Sequence, residues 1–109
     1  MARWRGGRVK EEGDVVSIRG AMRELLEQEG IEGLGRLLRI REAWEGLVGE
    51  RAARESRPYR IEGDRLYVGV NSHAWAQELH YRIEEVKAGI RAKTGLEISE
   101  IIIRKINLQ

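Results

Sequence analysis

The stretch that decides the fold is Pro58-Tyr59-Arg60-Ile61-Glu62-Gly63-Asp64-Arg65-Leu66-Tyr67-Val68-Gly69-Val70-Asn71. Proline fixes φ and carries no backbone donor, so Pro58 ends any helix before it and opens an extended segment. In that segment Tyr59 and Ile61 alternate with Arg60 and Glu62, and Gly63-Asp64 supplies a tight turn. Beyond the turn Leu66, Val68 and Val70 point one way and Tyr67 and Gly69 the other, so Tyr59 to Asn71 reads as a β-hairpin whose Leu/Val face must be covered.

The flanking sequence supplies the cover. Upstream, Ser17 is placed to cap a short helix with Ile18, Met22, Leu25 and Leu26 at helical spacing and Gly30 as its stop. A second stripe, Leu34, Leu37, Leu38, Trp44, Leu47 and Val48, predicts a helix from about Leu34 to Arg54, with Gly46 and Gly49 marking close packing, a bend or fraying. Downstream, Asn71 or Ser72 caps a long helix carrying Trp75, Leu79, Ile83, Val86 and Ile90 on one face, and Gly95 closes it. The last run, Ile98 to Ile106, contains Ile101-Ile102-Ile103 and reads as a strand apolar on both sides, expected inside the sheet or covered on both faces. The order helix-helix-strand-strand-helix-strand predicts an α+β fold, a three-stranded sheet with helices packed on one face. One domain is expected over residues 17–109, preceded by a mobile basic arm over residues 1–16.

Composition bounds the function. The 109 residues make one modest core, and 20 basic against 18 acidic residues leave a net charge of only +2, so attraction to nucleic acid must come from local clusters. The absence of cysteine removes disulfides, thiol nucleophiles and cysteine zinc sites. No apolar run approaches the roughly 20 residues that span a bilayer, so a cytoplasmic protein with no membrane partner is expected.

Enzyme motifs are not found. None of the serines stands in a Gly-x-Ser-x-Gly setting, and the carboxylates mostly alternate with arginines, as in Arg41-Glu42 and Glu50-Arg51, which reads as screened surface. His73 and His80 stand roughly 10 Å apart along one helix, too far to share a metal, and His80 with Glu84 lacks further ligands. No Gly-x-x-x-x-Gly-Lys-Ser/Thr loop exists, so neither catalysis nor a cofactor is expected. Gly30-Ile31-Glu32-Gly33 matches the Gly-x-x-Gly loop of nucleic-acid-binding KH domains, but its glutamate opposes a phosphate and the stretch reads as a helix-helix turn.

Two basic clusters carry the functional expectation. The arm offers Arg3, Arg5, Arg8 and Lys10 around Trp4, combining phosphate-neutralising charge with a ring able to stack on a base. Arg51, Arg54, Arg57 and Arg60 gather at the helix-to-hairpin junction, where Arg104 and Lys105 of the last strand would join them. A solvated arginine surface is the alternative reading of the same residues.

Taken together, Trp44-Glu45-Gly46-Leu47-Val48-Gly49 with Ala53, Ser56 and Pro58, then Leu66-Tyr67-Val68-Gly69-Val70-Asn71-Ser72 and Trp75-Ala76-Gln77-Glu78-Leu79, resemble the bacterial DciA family over roughly residues 20–106. Glu55 stands where the family pattern usually has a histidine or similar polar residue. The resemblance implies a KH-like domain lacking a working Gly-x-x-Gly loop, no nucleotide cofactor, and a role as loader or operator of the DnaB-type replicative helicase. It also implies DNA binding, single- or double-stranded. An RNA-binding KH-like module and a pure protein-interaction domain are the alternatives, and a homo-oligomer through the apolar last strand stays open.

Overall fold

The computed structural model of the chain describes residues 18–106. The basic arm and the Ser17 cap lie outside the described residues. Among those described, the elements run α1 (Ile18–Val48), α2 (Glu50–Arg54), β1 (Ser56–Glu62), β2 (Arg65–Val70), α3 (His73–Tyr81), α4 (Ile83–Thr94) and β3 (Glu100–Lys105). The architecture is the α+β one expected, with the sheet order β1-β2-β3.

The two N-terminal helices follow one another within α1, divided at Gly30, whose φ of 76° and ψ of −174° lie in a region open almost only to glycine. Gly30–Gly33 is thus a helix-helix junction. Gly49, at φ 94° and ψ 160°, breaks the helix expected to reach Arg54 and starts α2 as a separate turn. The stripe on α1 also differs in detail: Ile40 is fully buried, whereas Leu38 remains exposed.

The hairpin closes at Gly63, φ 58°, and sets Ser56 opposite Val70, Pro58 opposite Val68 and Ile61 opposite Leu66. All six side chains are buried against the helices. Tyr59 is the extra residue of a β-bulge, since the register shifts between Pro58 and Arg60. It packs near Tyr67, ring centroids 6.2 Å apart and tilted by 56°, and lies outside the main core cluster.

Between β2 and β3 the chain crosses over through helix, which is what a parallel pair requires. Ser72 caps α3 by accepting a hydrogen bond from the Trp75 backbone N–H at 3.2 Å, and Gly95 closes α4 in the left-handed conformation at φ 78°. The single helix expected here is two, broken at Arg82. The Arg82 guanidinium donates to the Val48 carbonyl at 3.3 Å, where the electronegative end of α1 favours a cation. Leu79, Val86 and Ile90 keep one face on the core across the break, while His80 and Glu84 fall on different helices.

β3 corrects the expectation for the last strand: it is an edge of the sheet, not its interior. Ile101 is buried, but Ile102 and Ile103 are only half-buried. Glycine permits one further close approach, at the crossing of α1 and α4. A Cβ on Gly89 would stand 2.7 Å from Leu47 Cδ2.

Candidate nucleic-acid interface

Strand alternation sorts side chains between two faces, and the register aligns them in rows. The face turned from the core carries one row of Arg57, Gly69 and Arg104, a second of Arg60, Tyr67 and Ile102, and a third of Glu62, Arg65 and Glu100. The first row is the basic one. Two arginines stand on the outer strands with a glycine between them, so at about 4.8 Å per strand their backbones lie roughly 10 Å apart across a floor without a side chain. Arg57 is half-buried, Gly69 between them buried and Arg104 exposed.

Arg51 and Arg54 stand exposed on α2, immediately before β1, and Arg54 pairs with Glu50 at 3.4 Å across one helical turn. Two solvent-facing side chains at this spacing hold each other weakly, which leaves Arg54 able to exchange its partner for a phosphate. Arg41 lies in neither of the basic clusters read from the sequence, yet it donates to the Pro58 carbonyl at 2.8 Å. Burial lowers its pKa, and the charge of nearby Arg57 lowers it further. The signal that could have found Arg41 is its place beside the buried stripe of α1, one residue after Ile40.

Arg60 is placed differently. Its Nε donates to Glu62 at 2.8 Å, its Nη1 to Glu24 at 3.1 Å and its Nη2 to Gln28 at 2.6 Å, and its guanidinium lies 5.9 Å from the centre of the Tyr67 ring. Burial acts to lower its pKa, but the hydrogen bond and charge of Glu62, with Glu24 beyond, outweigh that and raise it. Arg60 therefore fastens the first stretch of α1 to the hairpin. Lys105 is exposed and sits opposite Val70, on the other parity from Arg104, so the two neighbours diverge. Arg3, Trp4, Arg5, Arg8 and Lys10 lie outside the described residues.

Behind this surface the junction is held by buried polar contacts. Trp44 Nε1 donates to Ser56 Oγ at 3.0 Å, and the Ser56 hydroxyl donates to the Ala52 carbonyl at 2.6 Å. Glu55 accepts from the Asn71 side chain at 2.7 Å, and its carbonyl accepts the Asn71 N–H at 3.1 Å. These contacts fix the end of α2 against both hairpin strands, and so aim Arg51, Arg54 and Arg57.

Among the described residues, no group of three or more His, Asp or Glu side chains is arranged to hold a metal, and no helix is long and apolar enough to cross a membrane. The fold and this surface define a small α+β protein that presents basic side chains from a helix-to-hairpin junction and from the sheet face turned from the core. The family model described as "Dna[CI] antecedent, DciA" matches residues 17–103, and the chain belongs to the DciA family. Membership implies involvement in loading the DnaB-type helicase in bacterial DNA replication, in a family of helicase-accessory proteins rather than known enzymes. No curated protein matches the chain.

Proposed function

We infer that this protein assists the DnaB-type helicase without catalysing a reaction, holding nucleic acid on its basic junction while its helical side meets the helicase. The domain would be KH-like and cytoplasmic, comprising residues 17–109, with the N-terminal arm adding Arg3, Trp4, Arg5, Arg8 and Lys10 to the phosphate contacts. The observation that carries the reading is the alignment of Arg57, Gly69 and Arg104 in one row, with exposed Arg51 and Arg54 on α2 just before β1 in the chain. Guanidinium groups suit phosphate oxygens in geometry as well as charge.

The helicase contact is assigned to the helices. Leu26, Ile31 and Leu38 of α1 are exposed large apolar side chains, Ile31 at 81% of its full accessibility, and a protein partner is what such side chains accommodate. Strand on the basic junction and helicase on α1 are then held by one domain. A helicase conformation that admits single-stranded DNA would gain population by preferring the loaded partner.

The test is co-sedimentation of the full chain with its DnaB-type helicase, with and without single-stranded DNA, alongside titrations of DNA and RNA at about 50 mM salt. A complex with the helicase that retains DNA is expected. A preference for RNA through its 2′-hydroxyls would favour the RNA-binding alternative, and failure to bind either polymer would leave a protein-interaction domain.

A further inference from the structure

The two edges of the sheet are unequal. β1 is blunted in the ways natural proteins protect an exposed edge: Pro58 removes a donor, the bulge at Tyr59 twists the strand, and α1 covers it through Arg41 on the Pro58 carbonyl and Arg36 on the Gly63 carbonyl, both at 2.8 Å. Among the described residues, β3 has neither proline nor bulge, and its protection is limited to the charges of Glu100, Arg104 and Lys105. Glu100–Lys105 contains neither proline nor glycine, pairs with β2 residue for residue without a register shift, and leaves Ile102 and Ile103 half-buried at the margin. A regular, β-branched strand of this kind is a template for another strand.

We propose that β3 pairs antiparallel with β3 of a second copy of this chain, joining two three-stranded sheets into one of six strands. The sequence of the strand specifies that occupant. A two-fold axis through Ile102 sets Ile102 opposite itself, Ile101 opposite Ile103 twice, and Glu100 opposite Arg104 twice. Every pair then keeps its own face, because residues of like parity meet: Ile101 and Ile103 toward the helices, Glu100, Ile102 and Arg104 on the face turned from the core. A slip of one residue would set helix-facing isoleucines against the opposite face, so the register is restricted. Opposite charges across an antiparallel pair attract and like charges repel, so the strand complements itself when antiparallel. Pairing two copies in parallel would instead set Glu100 on Glu100 and Arg104 on Arg104.

The inference uses no surface on the helices and shares only Arg104 with the basic row, and its test reads self-association without nucleic acid, so its failure and that of the nucleic-acid reading are distinguishable. Its test is sedimentation equilibrium of the full chain across the micromolar range, with Glu100→Arg, Arg104→Glu and the doubly exchanged variant compared. These side chains are exposed, so each variant is expected to fold, which circular dichroism checks. The wild type is expected to dimerise. Each single exchange, which makes two like-charge contacts per dimer, is expected to weaken the dimer about tenfold or more, and the double exchange to restore it. Ile102→Lys, which sets two ammonium groups against each other across the axis, is expected to abolish the dimer. A wild-type monomer at the highest concentration, or a dimer indifferent to both single exchanges, would overturn the proposal.

Discussion

Trp44 and Ser56 are joined by a buried hydrogen bond of 3.0 Å from the indole Nε1 to the hydroxyl, twelve residues apart in sequence and on opposite sides of the α2 turn. The hydroxyl donates in turn to the Ala52 carbonyl at 2.6 Å, which also accepts the Glu55 N–H at 3.1 Å, so the fully buried serine is what satisfies the indole donor. Removing it strands the indole N–H, while the Ala52 carbonyl keeps the Glu55 N–H.

Ser56→Ala is therefore expected to lose about 1–3 kcal/mol of stability, the cost of a buried polar group left without a partner. Trp44→Phe removes the donor but keeps most of the ring. The two changes remove one interaction, so the double variant should lose less than the sum of the singles. Urea unfolding of the four proteins measures this directly; additive losses would show that the two side chains act independently.

Gly30 and Gly49 hold backbone conformations at φ 76°, ψ −174° and φ 94°, ψ 160°, a region in which a Cβ is strained. Alanine meets no neighbouring atom at either position, so any loss comes from the backbone alone. Each Gly→Ala change is expected to cost about 1–3 kcal/mol in thermal or chemical unfolding. Gly46 serves as the contrast. It is helical, faces only the end of Lys93, and should gain from alanine's helix propensity by up to about 1 kcal/mol.

The outline of the fold was legible because it rests on local periodicities. The hairpin alternation of Leu66, Val68 and Val70, the Ser72 cap and the Gly95 stop are all encoded within a few residues of where they act. The break at Arg82 was not: no glycine or proline marks it, and the partner Arg82 finds there, the Val48 carbonyl, is 34 residues away. The edge position of β3 escaped for a related reason: three isoleucines in a row signal a strand, but their exposure depends on which strand they join. At the site, the arginines were visible as types and positions, whereas their use was not. Nothing near Arg60 in sequence announces Glu24 and Gln28, and only the register brings Arg104 level with Arg57.

Glu62 links stability to pH. Burial acts to raise its carboxyl pKa, but the hydrogen bond and charge of Arg60, the Tyr67 hydroxyl at 3.1 Å and the charge of Arg65 outweigh burial and hold it below the ordinary 4.5. The unfolded chain then takes up this proton at higher pH than the folded one. The contribution is fully present above about pH 4.5 and is lost as pH falls through the lowered folded value. Glu62→Gln should flatten the fall in stability below that point while changing little at pH 7 beyond the loss of the ion pair. Unfolding curves between pH 3 and 7 check this, and an unchanged acid limb would assign the fall to other carboxylates.

The division of labour between Arg57 and Arg60 gives the sharpest test of the interface. They lie three residues apart on β1, and both carry a charge, so a simple count of basic residues treats them alike. Their surroundings do not. Arg57 stands level with Gly69 and Arg104 near the cation of Arg41, whereas Arg60 is engaged by Glu24, Gln28 and Glu62. Arg57→Gln is expected to weaken single-stranded DNA binding and to reduce the slope of log affinity against log salt by about 0.7, the value for one phosphate no longer neutralised. Arg60→Gln should leave that slope unchanged and lower the melting temperature instead, because it unties α1 from the hairpin. Fluorescence titrations from about 50 to 200 mM salt, paired with melting curves, separate the two effects. An equal loss of slope in both variants would mean that phosphate competes successfully with Glu62 and Glu24 for Arg60, and the interface would then extend across the second row of the sheet.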